Sequence, residues 1–496
     1  MKIVSKERFK TGEEYFRSLI FLSPLILLFF ISLFQVFNLT VLQGDKFQTI
    51  AESNRIYQKP INPVRGFIYD RKGNLLAENI VQRDLYVTPA YIVDSSETLL
   101  KLSNLLELPY ENLRDNYLKL EKKQKKFDSF PLVKALNEEQ VAKTKVNLDS
   151  ISGIEVKATL KRFSLYEENF AHILGYVGDV SSQEIQDDIK LADLQDLQIG
   201  KTGIEKKFDA ILRGKPGVQT QERDVKGKLV RVLDTEGAVD GQNIYLSIDK
   251  ELQNHLFKFF KNKRGALVAL EPKTGLIRAL ISSPSFNPNI LNSIVDAEEV
   301  KKLFSDKESP LFNRALSGQY PPASTLKPFV GLAAIENQVI SWDKKIEDNG
   351  KYYVEGDPRP YRGWKENGHG LVDMRKAIAE SSDVYFYNLA YNLTLSGMRP
   401  MLENFGFGKK IGLMNIESSG LLPDKKWKLG YKGDFWFKGD TINLGIGQGY
   451  ILTTPLQLAL AYSGLANKGI IYQPQFTQPK DENLYRPKKI AEINLS

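Results

Sequence analysis

The 496-residue chain contains no cysteine. That excludes disulfides, cysteine-ligated zinc and a thiol nucleophile. It also suits an oxidising compartment, where stray thiols are a liability. Histidine is nearly as scarce. His172, His255 and His369 lie far apart and in no H-E-x-x-H spacing, so a metal hydrolase is disfavoured. No block of Lys and Arg forms a stripe, and a net charge of +8 is mild for this length, so no nucleic-acid partner is expected. No internal repeat or low-complexity tract is visible. Apolar residues make up 42% of the chain, enough for sizeable cores, and the length implies two or three domains.

Long apolar runs are also missing, with one exception. From Ser18 to Leu39 the chain reads SLIFLSPLILLFFISLFQVFNL, and nothing ionisable stands between Arg17 and Asp45. A helix of that length, at about 1.5 Å per residue, spans roughly 33 Å and matches a hydrocarbon core. Lys2, Lys6, Arg8, Lys10 and Arg17 precede it, against Glu7, Glu13 and Glu14, which places the N-terminus in the cytoplasm. A cleaved signal peptide would have a shorter apolar region ending in small residues, and LTVLQGDKFQ offers no such site. The expectation is a single-pass membrane protein with a tail at 1–17, an anchor at 18–40 and the remainder outside the cytoplasm.

After a polar junction, NPVRGFIYDRKGNLLAEN (Asn62–Asn79) predicts short strands around a Lys72-Gly73-Asn74 turn. Residues 92–150 carry helical apolar spacing, and residues 153–245 return to short strands. Nothing in 45–240 resembles a reaction centre, so 41–240 is expected to be a spacer or docking module. Near Tyr245 the texture changes. A helix through ELQNHLFKFFKNK is followed by a hairpin turning at Pro272-Lys273-Thr274-Gly275. Helices are then predicted at Leu326–Glu336, Asp373–Leu393 and Pro455–Asn467. Strands followed by helices suggest an α/β or α+β catalytic domain over 241–496.

A serine can be activated by a lysine three residues on, because the two share one face of a helix. Burial and nearby cations lower the lysine pKa toward neutrality. Ser247-Lys250, Ser324-Lys327 and Ser341-Lys344 all fit. Ser247 ends a strand and reads as a cap for the next helix, and Ser341 reads as a cap or turn. Ser324 stands in GQYPPASTLKPFVGLAAIE, where two prolines fix the approach to a helix that continues apolar. Its oxygen would face the unpaired N–H groups of a helix start. A plain N-cap is the alternative reading.

YPPASTLKPF (Tyr320–Phe329) closely resembles the active-site stretch of class B penicillin-binding proteins of the penicillin-binding protein 2, cell-elongation type. The resemblance runs over nearly the whole chain. NPVRGFIYDRKGNLLA, HILGYVGDV (His172–Val180) and IGKTGIEKKFDAILRGKPG (Ile199–Gly217) resemble landmarks of the family's pedestal, or dimerisation, domain. WKENGHG (Trp364–Gly370) and LGIGQGYILTTPLQLA (Leu444–Ala459) favour the elongation type. The family's S-x-N motif is matched by Ser381-Ser382-Asp383, 57 residues after Ser324, with Asp in place of Asn.

The resemblance implies an α+β chain: one N-terminal transmembrane helix, a β-rich pedestal and a β-lactamase-like transpeptidase domain. It also implies D,D-transpeptidation of peptidoglycan stem peptides through an acyl-enzyme on Ser324, sensitive to β-lactams. Lys327 would be the acylation base, Ser381 would relay a proton to the leaving amine, and Asp383 would help hold Lys327. Implied partners are a SEDS-family glycan polymerase and other membrane proteins of the elongation machinery. The third motif, Lys-Ser/Thr-Gly, departs from the pattern. Lys201-Thr202-Gly203 and Lys273-Thr274-Gly275 both precede Ser324, so the transpeptidase domain is expected to be incomplete at its C-terminus. A non-catalytic relative that docks the elongation machinery is therefore an alternative. A β-lactam sensor or β-lactamase is disfavoured by the long pedestal and the lack of a deacylating carboxylate. Asp348, Asp357 and His369 are weighed as a metal site and set aside as solvated loop groups. No cofactor or metal is expected.

Overall fold

The computed structural model describes Pro24 and residues 27–43, 55–122, 127–187, 198–224, 229–293 and 297–494. The anchor expected at 18–40 lies partly outside them. Residues 27–37 are helical and their apolar side chains are exposed. Among the described residues no helix is long and apolar enough to cross a membrane.

The chain divides into two compact units, residues 1–62 with 216–239, and residues 63–215 with 240–496. In the first, Ile56–Ile61, Gly217–Arg223 and Leu229–Glu236 form an antiparallel three-stranded sheet. The Glu222 carboxylate ties its two outer strands, accepting Arg55 at 3.1 Å and Arg231 at 2.6 Å. Arg223 lies 3.6 Å from the ring centroid of Tyr57.

The second unit holds a five-stranded sheet. Ile68–Tyr69 and Leu75–Val87 form the hairpin expected at the Gly73 turn, where φ is +83°. The second strand runs further than its apolar pattern suggests. It pairs with Ile154–Ser164 over Ala77–Val87 and with Phe130–Val133 at its end. Ile244–Tyr245 adds in parallel to Ile68–Tyr69. The helical stretch expected over 92–150 is three helices, Ser95–Leu106, Tyr110–Glu121 and Glu138–Val146, with Phe130–Val133 among them. Leu99, Leu102, Leu106 and Tyr117 pack on Leu85, Val87 and Phe130.

The hairpin Gly265–Leu270 and Ile277–Ser283 turns where the sequence predicts. Ile277 and Leu280 share a core with Ile68, Leu76, Leu456 and Phe476, so pedestal strands and hairpin are packed on common apolar surface. Asp249 rather than Ser247 caps the helix Lys250–Lys258, accepting from Glu251 and Leu252 N–H. Ser247 is instead buried, its hydroxyl donating to the Ile277 carbonyl at 2.8 Å.

The helical part contains α1 (Lys327–Glu336), α2 (Met374–Ala379), α3 (Asp383–Asn404), α4 (Lys425–Lys432), α5 (Lys438–Gly445) and α6 (Pro455–Ala466). Phe329 of α1 meets Phe405, Phe407 and Tyr462 edge to face at 4.9, 5.2 and 5.3 Å between centroids. A Cβ on Gly445 would lie 2.3 Å from the Ala390 methyl, so α5 crosses α3 at a distance only glycine permits.

A buried ion triad joins the strand bearing Arg162 to the segment Gly203–Lys207. Glu205 accepts from Arg162 at 2.6 Å and from Arg65 at 2.7 Å, and the Arg162 and Glu205 side chains are each 2% exposed. Burial pulls the Glu205 carboxyl upward, but the two guanidiniums outweigh it and hold it below the ordinary range. Removing the shared anion strands Arg162 in low dielectric, while Arg65 keeps Asp209 at 2.9 Å. Glu205→Gln should therefore destabilise the fold by about 3–5 kcal/mol, measured as a lowered midpoint in urea unfolding.

Candidate active site

Ser324 lies in a 3₁₀ turn, Ala323–Leu326, that leads directly into α1. The turn bends sharply because Ala323 has φ of +50°. Two contacts fix that bend. The Ala323 N–H donates to the Gly447 carbonyl at 2.9 Å, and Tyr320 exchanges backbone hydrogen bonds with Thr453 at 2.9 and 2.8 Å. Gly447 has φ of +70°, and a Cβ there would lie 2.1 Å from the Ala323 carbonyl oxygen. The Gly445–Gly449 stretch therefore acts as a backing for the turn, a role its glycines signal only once the turn is seen against it.

Ser324 is exposed, whereas Lys327, one turn on, is 1% exposed. The Lys327 ammonium donates to Asp383 Oδ1 at 2.7 Å, Ser381 O at 2.9 Å and Ser381 Oγ at 3.0 Å. It also lies 5.5 Å from the Phe386 ring centroid. Burial pushes its pKa down from the ordinary lysine value, and the hydrogen bond and charge of Asp383 pull it part of the way back. The Ser381 hydroxyl donates in turn to Ser324 Oγ at 2.8 Å. The structure thus brings Ser324, Lys327, Ser381 and Asp383 together, with Ser381 Oγ as the link between Ser324 Oγ and the lysine.

That link depends on a break in the helix predicted over Asp373–Leu393. The chain forms α2, interrupts, and starts again as α3. Ser381 occupies the interruption with φ of +54°, an uncommon conformation for a residue with a Cβ. Ser382, not Ser381, caps α3, accepting from Tyr385 N–H at 3.2 Å. The buried Ser382 hydroxyl also donates to Asp348 Oδ2 at 2.6 Å, anchoring the junction from behind.

Sequence reasoning did not identify Trp364 as part of this site. Its backbone N–H donates to Asp383 Oδ2 at 3.1 Å and its indole N–H to Ser381 O at 3.1 Å. Both residues that hold Lys327 are therefore held from outside by one tryptophan. Its ring stands edge to face with His369, 5.4 Å between centroids, and His369 Nδ1 is 2.8 Å from Glu380 Oε2. The WKENGHG stretch was legible as a landmark, but a lone tryptophan carries no sign of what its two donors reach.

The remaining candidates fall elsewhere. His172 is buried, and desolvation pushes its imidazole down to about 4. His255 packs on Phe259 at 5.3 Å. Asp348 accepts from Gly350 N–H and Ser382, Asp357 bonds Arg359, and His369 faces Glu380. Those three groups are thus engaged separately, and among the described residues no cluster suits a metal ion. Lys201 pairs with Glu184, and Lys273-Thr274-Gly275 forms the hairpin turn.

A buried lysine is thus wired through one serine to a second, exposed serine. The model of the penicillin-binding protein transpeptidase domain matches residues 265–494, and that of the penicillin-binding protein dimerisation domain matches residues 60–246. The chain belongs to the penicillin-binding protein family. The peptidoglycan D,D-transpeptidase MrdA of Haemophilus influenzae is 36% identical over 95% of this chain and 73% of its own length. The protein of that name in Escherichia coli K12 is 33% identical over 97% of this chain and 77% of its own. Among solved structures, the complex of penicillin-binding protein 2 and MreC from Helicobacter pylori matches with a TM-score of 0.77. Its identity is 30%, over 88% of this chain and 81% of that one.

Gly447→Ala must displace the Ala323 carbonyl, and with it Ser324, by about 1 Å. A shift of that size costs about 100-fold in rate. The expected outcome is penicillin acylation slowed to that degree and a thermal midpoint below the parent's, because alanine is strained at this φ, read from a fluorescent penicillin on protein that a melting curve shows to be folded.

Proposed function

We infer that the chain is a peptidoglycan D,D-transpeptidase of the penicillin-binding protein 2 type. In this reading Ser324 attacks the penultimate D-Ala carbonyl of a stem peptide. The C–N bond to the terminal D-Ala breaks, and an amine from a neighbouring stem resolves the acyl-enzyme. The observation that carries it is the continuous hydrogen-bonded path from Ser324 Oγ through Ser381 Oγ to Lys327 Nζ.

With Lys327 neutral, the Ser324 proton passes to Ser381 Oγ as the Ser381 proton passes to Nζ. The reverse transfer protonates the leaving amine. Asp383 sets how readily Lys327 sheds its proton, and Trp364 fixes Asp383. In this reading the Ser324 N–H forms one half of an oxyanion site. The intact path favours this reading over a docking-only relative.

The apolar, uncharged run at 18–40 supports a single-pass anchor with a cytoplasmic N-terminus and a periplasmic body. The segment 41–240 is assigned as the pedestal and 241–496 as the transpeptidase domain. A SEDS-family polymerase is a proposed partner of the anchor and pedestal. The Helicobacter pylori relative was solved with MreC, which makes a protein of that kind a second candidate.

Two measurements test the reading. Ser324→Ala should abolish labelling by fluorescent penicillin, while Ser341→Ala should keep it, and labelling that survives the first change overturns the assignment. The second is a pH profile. The Asp383 carboxylate raises the Lys327 pKa, so Asp383→Asn lowers it further and populates the neutral amine at lower pH. The acidic limb of the acylation-rate profile should move to lower pH, and an unmoved limb would show that Lys327 is not the group titrating.

A further inference from the structure

The second half of α3 lines a cavity of about 780 Å³ that none of the four clustered residues lines. Its walls come from α3, from the starts of α4 and α5, and from the residues just before α5. Four cations, Arg399, Lys425, Lys426 and Lys438, line it against one carboxylate, Asp424.

These charges are not equally engaged. Arg399 bonds Glu403 at 2.7 Å and the Leu422 and Pro423 carbonyls at 3.0 Å each, so it is structural. Asp424 caps α4. Lys438 donates to the Tyr391 hydroxyl at 3.1 Å, and the Glu355 carboxylate acts on it from further off. Lys425 and Lys426 are exposed and make no ion pair among the described residues. Lys425 and Lys426 therefore present two ammonium groups to the concavity with no ion pair among the described residues, and Lys438 adds a third cation beside them.

The wall is also shaped for more than charge. Phe437 keeps 55% of its surface exposed at the rim. Thr394 has φ of +62° and ψ of 172° inside α3, an outlier for a β-branched residue. Strain of that kind costs on the order of 1–3 kcal/mol and concentrates at functional sites. Here it interrupts the helix so that the Thr394 and Ser396 hydroxyls, 2.8 Å apart, lie together on the exposed side. Lys428 bonds Asp440 at 2.6 Å and ties α4 to α5, which makes the cavity preformed.

Two elements connect this cavity with the Ser324 turn. α3 begins beside Ser381 and reaches Thr394 eleven residues later, about 16 Å along the axis. α5 begins at Lys438 and ends at Gly445, next to the glycine that backs Ala323. We propose that the cavity is a second subsite for the same polymer, taking a carboxylate-bearing saccharide–peptide unit. Lys425, Lys426 and Lys438 receive its carboxylates, Phe437 covers a sugar face, and the Thr394 and Ser396 hydroxyls meet its hydroxyls. The volume falls in the range of small-ligand sites. This inference rests on the peptidoglycan reading, which supplies a substrate carrying sugar rings and carboxylates in one molecule.

The test uses the full chain in detergent, with the Ser324 cleft first blocked by penicillin. Failure of that labelling would count against the transpeptidase reading and is seen before any titration. A disaccharide-tetrapeptide cut from peptidoglycan by a muramidase is then titrated by calorimetry, beside the free tetrapeptide. The disaccharide form should bind at least tenfold more tightly than the peptide alone. Lys425→Glu combined with Lys426→Glu should weaken it at least tenfold, and Phe437→Ala should weaken it as well. Phe437→Ala carries the test alone if the double variant does not fold. Absent binding, or affinity indifferent to these changes, overturns the subsite. Equal affinity for both probes overturns its saccharide part.

Discussion

Lys327 sits almost wholly out of water, and an ammonium there is tolerated only if its donors are all taken. Much of the helical half of the protein answers that requirement. Asp383 supplies the charge, and Ser381 supplies both its carbonyl and its hydroxyl. The same burial lowers the lysine pKa, so the constraint that threatens stability also makes the amine easier to deprotonate. Because the hydroxyl of Ser381 is the remaining acceptor, the lysine reaches Ser324 through it.

Placing both acceptors of Ser381 toward one lysine requires a backbone that no continuous helix offers. The break between α2 and α3 provides it, at the cost of a left-handed conformation. That conformation is held by neighbours distant in sequence. Asp348 grips Ser382 from the buried side, and Trp364 grips Ser381 and Asp383 from the exposed side. The Ser324 turn is treated alike, bent at Ala323 and backed by Gly447. Strain at two short segments is thus fixed by long-range contacts, which is how a reactive geometry is kept without a moving part.

The pedestal strands within the second unit are not a loose appendage to this machinery. Ile68 and Leu76 share apolar surface with Ile277 and Leu280, and Lys207 donates to the Leu413 carbonyl at 2.6 Å. The Arg162–Glu205–Arg65 triad stiffens the segment from which Lys207 projects.

Much of this was legible in the sequence, for definite reasons. Helices Lys327–Glu336 and Pro455–Ala466, and the hairpin turning at Pro272–Gly275, follow from local periodicity and turn chemistry. Ser324 and Lys327 lie three residues apart, so a helix alone brings them to one face. Ser381 and Asp383 were found by a motif, not by any local rule, because their partners are more than fifty residues away. What the sequence alone could not supply was the break at Ser381, since an apolar pattern continues through it and only the buried ammonium rewards the interruption. Nor could it show the indirect route from Lys327 to Ser324, the two donors of Trp364, or the backing glycine at position 447. Each is a contact between segments whose spacing along the chain says nothing of their distance in space, and packing alone sets that distance.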